Sequence, residues 1–243
     1  MAGKATSFGA EADLYDRARP EYPAEAVAWM LPAGARDVAD VGAGTGKLTS
    51  GLVAEGRVLT AIDPDAQMLA RLSERLPGIR TLVGSGEELP LPDESMDAVV
   101  FGQAWHWVDP PRASLEVGRV LRPGGMLGLI WNIRDHAEPW VRELTAAMHT
   151  SDAEDLISSG GPVVGEPFGP LEVQTFPWVA SFTVDSLVEL AASRSYIITA
   201  TPERRNEVLA AVRSLGERVR DAGGRIALPY VTHAYRATRP SGT

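Results

Sequence analysis

Cysteine is missing from the 243-residue chain, and histidine occurs only four times. Without thiols the protein cannot form disulfide bonds, attack a substrate with a thiolate or bind zinc through cysteine ligands. The four histidines never fall at the spacing of a metal-binding motif such as H-E-x-x-H. Disulfide-stabilised folds and cysteine-dependent enzymes are therefore excluded, and we expect no metal site.

Long apolar runs and an excess of basic residues are lacking as well. No run approaches the roughly 18 apolar residues of a membrane-spanning helix, and the N-terminal residues lack the apolar segment of an export signal. Acidic residues outnumber basic ones by 32 to 23, which gives a formal net charge of −9. Because an acidic protein repels a polyphosphate backbone, we expect that it does not bind nucleic acids. We also expect a cytoplasmic protein, monomer or homodimer, that does not bind membranes. Its substrate is expected to be a small molecule.

The stretch from Val38 to Gly46 reads as a strand followed by a glycine-rich turn, and apolar spacing over Lys47 to Ala54 predicts a helix directly after it. This order is typical of the nucleotide-binding corner of an open α/β sheet. Glycines at 42, 44 and 46 permit positive φ and a close approach of a ligand. Their G-x-G-x-G spacing departs from the dinucleotide fingerprint G-x-G-x-x-G, and Val41 and Leu48 exclude a Walker loop. The turn predicts a ligand without identifying it.

Strands and helices alternate along the rest of the first half. Strands are predicted at 58–62, 79–83, 96–101 and 126–131, with helices beginning at 64 and 111. Farther on we expect helices at 138–149, 185–192 and 202–220, a loop or lid at 160–170, and strands near 171–183 and 230–237. The alternation predicts a mostly parallel sheet in an α/β fold. We expect one domain over 1–243, with an N-terminal arm at 1–23, a cofactor-binding core at 38–135 and a substrate-side insertion or lid at 150–228.

Two acids bear on the identity of the ligand. Asp63, at the end of the second predicted strand, is placed to accept hydrogen bonds from both hydroxyls of an adenosine ribose. Asp40 lies beside the glycine turn, where a carboxylate repels pyrophosphate and attracts an ammonium group. S-adenosylmethionine has the ribose, the amino group and a sulfonium. The alternatives are that Asp40 caps nearby backbone and that Asp63 caps the helix that follows it.

These residues resemble the class I S-adenosylmethionine-dependent methyltransferases over roughly Val38 to Trp131. The family's first glycine turn is similar to Asp40-Val-Gly-Ala-Gly-Thr-Gly, and its ribose-binding segment to Ala61-Ile-Asp63-Pro-Asp-Ala-Gln-Met68-Leu. Its adenine-side loop is similar to Gly84-Ser-Gly-Glu-Glu-Leu-Pro-Leu, and the turn before its fifth strand to Leu121-Arg-Pro-Gly-Gly-Met-Leu. The resemblance implies a Rossmann-like, doubly wound sheet of seven mostly parallel strands, with helices on both faces and an antiparallel C-terminal strand.

A narrower resemblance is to a small-molecule subgroup that includes trans-aconitate-type methyltransferases. It is carried by Tyr15 with Arg17 and by three short segments: Arg19-Pro-Glu-Tyr-Pro, Gln103-Ala-Trp105-His106-Trp107 and Trp131-Asn-Ile-Arg134-Asp. The two resemblances together imply cofactor contacts from Tyr15, Arg17, Asp40, Gly42, Ala43, Gly44, Asp63, Met68, Ser85, Gly86, Glu87 and Gln103.

A sulfonium methyl is already a strong electrophile, so catalysis requires chiefly that an acceptor oxygen, carboxylate or carbon be held in line with the S–CH₃ bond. His106 is the candidate base if the acceptor must lose a proton, and the alternative is a histidine packed between tryptophans. The predicted acceptor site consists of Trp105, Trp107 and Trp131 as apolar walls, Arg134 as partner of a substrate carboxylate, and Tyr196 as a closing residue. Core packing of the tryptophans and surface ion pairing of Arg134 are the alternatives. A nicotinamide-dependent oxidoreductase and a non-catalytic cofactor-binding protein are the competing functions.

Overall fold

In a computed structural model, which describes residues 19–241, seven strands form one sheet in the order β3-β2-β1-β4-β5-β7-β6. The strands are β1 (Asp37–Val41), β2 (Val58–Asp63), β3 (Arg80–Val83), β4 (Met96–Gly102), β5 (Leu121–Arg134), β6 (Glu172–Phe182) and β7 (Ile226–Thr238). Strands β1 to β5 pair in parallel, whereas β7 is antiparallel to both β5 and β6. The predicted fold class, a mostly parallel seven-stranded sheet with an antiparallel C-terminal strand, is confirmed.

Helices connect β1 to β2, β2 to β3 and β4 to β5, whereas a loop joins β3 to β4. The helices are α1 (Ala24–Trp29), α2 (Lys47–Leu52), α3 (Ala66–Arg75) and α4 (Pro110–Val120), followed by α5 (Pro139–Met148), α6 (Asp152–Ser158), α7 (Val184–Ala192), α8 (Ser195–Ile198) and α9 (Pro202–Val219). Among residues 19–241, none of these helices is both long and apolar enough to span a membrane.

Two segments differ from the sequence-based expectation. The turn that begins at Arg122 was expected between a helix and a strand, but it lies inside β5, where the register against β4 shifts between Met96 and Ala98. Helix α6 was not predicted, although Ser151 and Glu154 form a capping box at its start. The segment around α6 therefore has more regular structure than its glycine-rich neighbourhood suggests.

Three main clusters of buried apolar residues stabilise the fold. One contains Phe101, Trp105 and Trp131, and another contains Met30, Leu48 and Leu52. The third joins α5, α7 and α9 to β6 and β7. The contribution of α9 to this third cluster comes from Val208, Val212 and Leu215, which are buried.

The strand order reverses beside β1, because the chain adds β2 and β3 on one side of this strand and β4 on the other. At such a switch point the loops after the two central strands diverge and leave a crevice at the carboxyl ends of the strands. The glycine turn follows β1, and Gln103 follows β4. The fold thus places both segments at the crevice.

Candidate active site

The glycine turn has a shape that side chains would disrupt. Gly42, Gly44 and Gly46 have φ of 69°, 54° and 87°, values that glycine adopts at little cost. The amides of Gly42 and Ala43 donate to the carbonyl of Ile62 at 2.8 and 3.1 Å, which ties the turn to β2. A Cβ atom at Gly42 would lie 2.5 Å from Cβ of Ala104, whereas a Cβ at Gly44 would project into open space. Gly42 is needed for packing, and the backbone at Gly44 is open to a ligand.

Asp40 is buried next to this turn, with 2% of its surface exposed. The hydroxyl of Thr49 donates to its Oδ2 at 2.6 Å, while Oδ1 is sealed from solvent without a hydrogen-bond partner in the described residues. Burial raises the pKa of Asp40 to about 7, and the nearby charge of Asp63 adds to the rise. A buried oxygen without a donor is costly unless a ligand supplies one, so Asp40 is suited to bind a cationic group.

Asp63 ends β2 and accepts two backbone hydrogen bonds. The amide of Gly44 donates to its Oδ2 at 2.8 Å and the amide of Asp65 to its Oδ1 at 2.9 Å. The N-cap of α3 is Asp65, whose side chain accepts from the amide of Gln67, so Asp63 does not have the capping role considered as its alternative. Each oxygen of Asp63 retains a second lone pair, and burial raises the pKa of the carboxyl group.

The other predicted cofactor residues within the described range follow the carboxyl ends of β3 and β4 or lie on α3. Gln103 has a positive φ of 55°, and its side-chain amide donates to the carbonyl of Asn132 at 3.3 Å. Met68 is buried on α3. Glu87, in the loop after β3, accepts a hydrogen bond from the amide of Asp109 at 2.8 Å, and Ser85 and Gly86 precede it in that loop. Tyr15 and Arg17 lie outside the described residues.

A cavity that is partly open to solvent lies beside the glycine turn. Its walls come from the end of the N-terminal arm, from the cofactor-binding core and from later segments of the chain. The lining residues are Arg19, Pro20, Tyr22, Asp40, Gly42, Ala43, Gly44, Thr45, Lys47, Leu48, Gly102, Gln103, Asn132, Ser151, Glu154, Leu190, Arg194 and Tyr230.

The three predicted aromatic walls are not part of this lining among residues 19–241. Trp105 is buried against Phe101, and its indole N–H donates to the carbonyl of Val163 at 2.9 Å. Trp131 is fully buried and packs edge-on against Tyr235. Trp107 is 62% exposed. The structure thus places Trp105 and Trp131 in the core and Trp107 on the surface.

His106 lies in a 3₁₀ turn after β4, in contact with two tryptophans. The indole N–H of Trp131 donates to its Nδ1 at 3.3 Å, and the ring lies 4.8 Å from that of Trp107. Because an indole only donates, Nδ1 is the unprotonated nitrogen of the neutral ring. Burial lowers the pKa of His106 to about 4. Both features oppose a base that takes a proton near pH 7.

Arg134 is buried, and Glu154 binds it. Its Nε and Nη2 donate to Oε1 of Glu154 at 3.1 and 2.8 Å, and its Nη1 lies 3.2 Å from Sδ of Met148. Oε2 of Glu154 accepts from the amide and hydroxyl of Ser151. Arg134 is therefore neither on the surface nor available to a substrate carboxylate, because its guanidinium already has a carboxylate partner.

Sequence reasoning missed Arg194, which lies between α7 and α8 and lines the cavity together with Tyr230. Tyr196, the predicted closing residue, lies two residues farther along the chain. Its ring contacts that of His149, and among residues 19–241 it is not part of the cavity lining. A helix near 151–158 could have been predicted from the Ser151-x-x-Glu154 spacing, but no local signal connects Arg194 to the glycine turn. Residues 19–241 contain no cluster of three or more side chains suited to a metal ion.

Comparison with known proteins agrees with this geometry. The methyltransferase domain family matches residues 39–129. An uncharacterized methyltransferase of Mycobacterium tuberculosis is 47% identical over 240 residues, which cover 96% of this chain and 95% of the relative. A malonyl-acyl-carrier-protein O-methyltransferase of Pectobacterium atrosepticum is 37% identical over 127 residues, covering 51% of this chain and 50% of the relative. A solved structure from Anaeromyxobacter dehalogenans, proposed to be a type II methyltransferase, has a TM-score of 0.64 at 22% identity and covers 90% of this chain and 97% of that chain.

Proposed function

The chain belongs to the methyltransferase domain family and is an S-adenosylmethionine-dependent methyltransferase, and from this premise we propose that it methylates a small-molecule acceptor at oxygen, carboxylate or carbon. The observation that carries the proposal is the buried Oδ1 of Asp40, which lacks a hydrogen-bond donor among the described residues and lies beside the cavity. Because the chain belongs to this family, we do not retain the alternative function of a nicotinamide-dependent oxidoreductase. The narrower trans-aconitate-type resemblance stays a prediction.

The residues of the crevice fit S-adenosylmethionine. Asp40 offers a carboxylate to its ammonium group, and Asp63 offers free lone pairs to its ribose hydroxyls. Gly44 leaves room for a ligand next to the main chain. We propose that Met68, Ser85, Gly86, Glu87 and Gln103 complete this site, with Tyr15 and Arg17 contributing from the N-terminal arm.

When bound, S-adenosylmethionine supplies a methyl group on a positively charged sulfur, which an acceptor displaces in line. The chain's own part is to hold the two ligands and to exclude water. Ser151, Glu154, Leu190 and Arg194 line the cavity from the segment 150–228, which supports the proposal that this segment forms the acceptor side.

With Asp40 assigned to the ammonium group of the cofactor, no cavity-lining carboxylate among residues 19–241 is left to act as a base on the acceptor. Among the lining residues described by the structure, the carboxylates are Asp40 and Glu154, and both oxygens of Glu154 already accept hydrogen bonds. His106 lies outside the lining, and its pKa is about 4. An acceptor that is already an anion requires no base. This supports a carboxylate oxygen as the methylated atom, in keeping with the relative named as an O-methyltransferase.

Binding of S-adenosylhomocysteine, measured by isothermal titration calorimetry, tests the cofactor site. We expect Asp40→Asn and Asp63→Asn each to weaken binding by about 10- to 100-fold, because each removes a charged hydrogen-bond acceptor. Asp37→Asn is the matched control, since Asp37 lies at the other end of β1 and pairs with Arg122 at 3.0 Å. Unchanged affinity in both site variants would remove these acids from the cofactor site.

A further inference from the structure

Arg194 is a cavity-lining cation with no carboxylate partner. Its Nε is sealed from solvent and has no hydrogen-bond partner in the part of the chain that the structure describes. Within residues 19–241, no acidic group lies within salt-bridge distance of its guanidinium, in contrast to Arg134, which holds Glu154 at 2.8 Å. A buried charge without a partner destabilises the folded protein unless something else neutralises it.

The surroundings of Arg194 carry an excess of positive charge. Its charged neighbours include Arg19, Arg134 and Glu154, and burial together with the two arginines lowers the pKa of Arg194 to about 9. Glu154 is the single acid of this group, and it is engaged with Arg134 and Ser151. Within residues 19–241, the charge of Arg194 is thus left without a counterion at salt-bridge distance.

Neutral hydrogen-bond donors accompany this cation. The hydroxyl of Tyr196 is sealed from solvent and has no hydrogen-bond partner in the described chain. Tyr230 lines the cavity, and the charge of Arg194 acts on the pKa of both phenols. A guanidinium and phenol hydroxyls together are suited to bind a carboxylate, which accepts several hydrogen bonds in one plane.

The position of Arg194 separates it from the proposed cofactor site. Asp63 is the charged neighbour that raises the pKa of Asp40, whereas the charged neighbours of Arg194 are two arginines and Glu154. The two groups thus have different charged neighbours. In S-adenosylmethionine the ammonium and carboxylate groups share one carbon, so a cofactor whose ammonium meets Asp40 keeps its carboxylate near Asp40.

We propose that Arg194, with the phenol of Tyr230 in the same lining, binds a carboxylate group of the methyl acceptor on the part of the cavity wall that comes from the later segments of the chain. This assignment rests on the proposed function and gives the acceptor a defined chemistry. It also moves the carboxylate-binding role from Arg134, which is engaged with Glu154, to an arginine that has no carboxylate partner among residues 19–241.

The test uses the complex with S-adenosylhomocysteine and matched pairs of probes: hexanoate with hexanamide, benzoate with benzamide, and succinate with succinamide. Titration calorimetry on the wild-type complex is expected to show at least one carboxylate binding more tightly than its amide. Arg194→Met should weaken the binding of that carboxylate by about 10- to 100-fold and leave the binding of the amide unchanged. Arg194→Lys should retain part of the affinity for the carboxylate. Arg213→Met is the control, because Arg213 pairs with Asp185 on the exposed surface.

Separate outcomes distinguish the possible failures. If no carboxylate binds more tightly than its amide, or if Arg194→Met leaves the preference intact, the acceptor site is wrong while the cofactor site stands. Comparison of S-adenosylhomocysteine with 5′-methylthioadenosine, which lacks the amino-acid part, identifies the source of the carboxylate. Loss of affinity for the first compound alone in Arg194→Met would assign Arg194 to the cofactor and overturn the proposal. Failure of the wild-type protein to bind S-adenosylhomocysteine would instead count against the proposed function.

Discussion

The hydroxyl of Thr49 donates a 2.6 Å hydrogen bond to Oδ2 of Asp40, and it thereby joins α2 to the end of β1 across the glycine turn. The bond satisfies one oxygen of a buried carboxylate and leaves the other without a partner in the described chain. Asp40 is thus held in one orientation before any ligand arrives. Such preorganisation lowers the free-energy cost of ligand binding. The unpartnered oxygen also lowers the stability of the ligand-free protein, because a buried acceptor without a donor is unfavourable.

Asp40→Asn should stabilise the ligand-free protein at pH 8 and weaken its dependence on pH. The pKa of Asp40 is 3.8 in the unfolded chain and about 7 in the folded protein, so between these values the folded state binds more protons. Stability due to this group therefore falls as the pH rises from about 4 to about 7, by up to about 4 kcal/mol. Urea unfolding of both proteins at pH 5, 6, 7 and 8 measures the difference. A constant difference across this range would contradict the expectation.

Alanine substitution of two glycines in the same turn should separate folding from binding. Gly42→Ala places a Cβ 2.5 Å from Cβ of Ala104, and we expect it to destabilise the fold by about 1 to 3 kcal/mol. Gly44→Ala meets nothing within 4 Å, so its cost is limited to the positive φ, about 1 kcal/mol, whereas the new methyl group occupies ligand space. Urea unfolding and S-adenosylhomocysteine titration measure the two effects. Normal binding by Gly44→Ala would contradict this view of the turn.

His106 should stay neutral across the physiological range. Burial lowers its pKa to about 4, and its Nδ1 accepts the Trp131 indole N–H. Because the unfolded chain binds the proton more readily, the stability due to this group is lost as the pH falls below about 6.5. An NMR titration of the histidine rings, with His106→Gln to assign the signal, is expected to show no change for His106 between pH 5.5 and 8. A midpoint near 6.5 would restore it as a candidate base.

The residues that could be predicted from the sequence are those with a local signal. Asp40, the glycine turn and Asp63 lie on consecutive elements, and their roles follow from strand ends and spacing. Trp105 and Trp131 were harder, because an aromatic residue near a strand end faces either the core or a cavity, and tertiary packing decides which. Here Phe101 and Tyr235 cover them.

Arg194 illustrates the limit of sequence reasoning. Its neighbour Arg134 is 60 positions away in the sequence, and only folding brings the charge of Arg134 close enough to lower the pKa of Arg194. From the sequence alone either arginine could bind a substrate carboxylate. The choice depends on which of them Glu154 pairs with, and this ion pair is a property of the folded structure.

Replacement of Arg194 should stabilise the ligand-free protein. Replacement of Glu154, the ion-pair partner of Arg134, should destabilise it. Arg194→Met deletes a cavity-lining cation whose Nε is sealed from solvent and which has no carboxylate partner among residues 19–241. We expect the free energy of unfolding to rise by about 1 kcal/mol, the low end of the gain seen when buried charges are replaced by apolar groups. Glu154→Gln leaves Arg134 uncompensated beside Arg194, and a loss of about 3 to 5 kcal/mol is expected. Urea unfolding of both variants and the wild type at pH 7 measures these two changes in the free energy of unfolding. If Arg194→Met instead destabilised the protein at pH 7, the guanidinium would have to contribute packing that outweighs its charge. The expected gain marks Arg194 as a residue retained at the expense of stability, which is the behaviour of a group kept for binding.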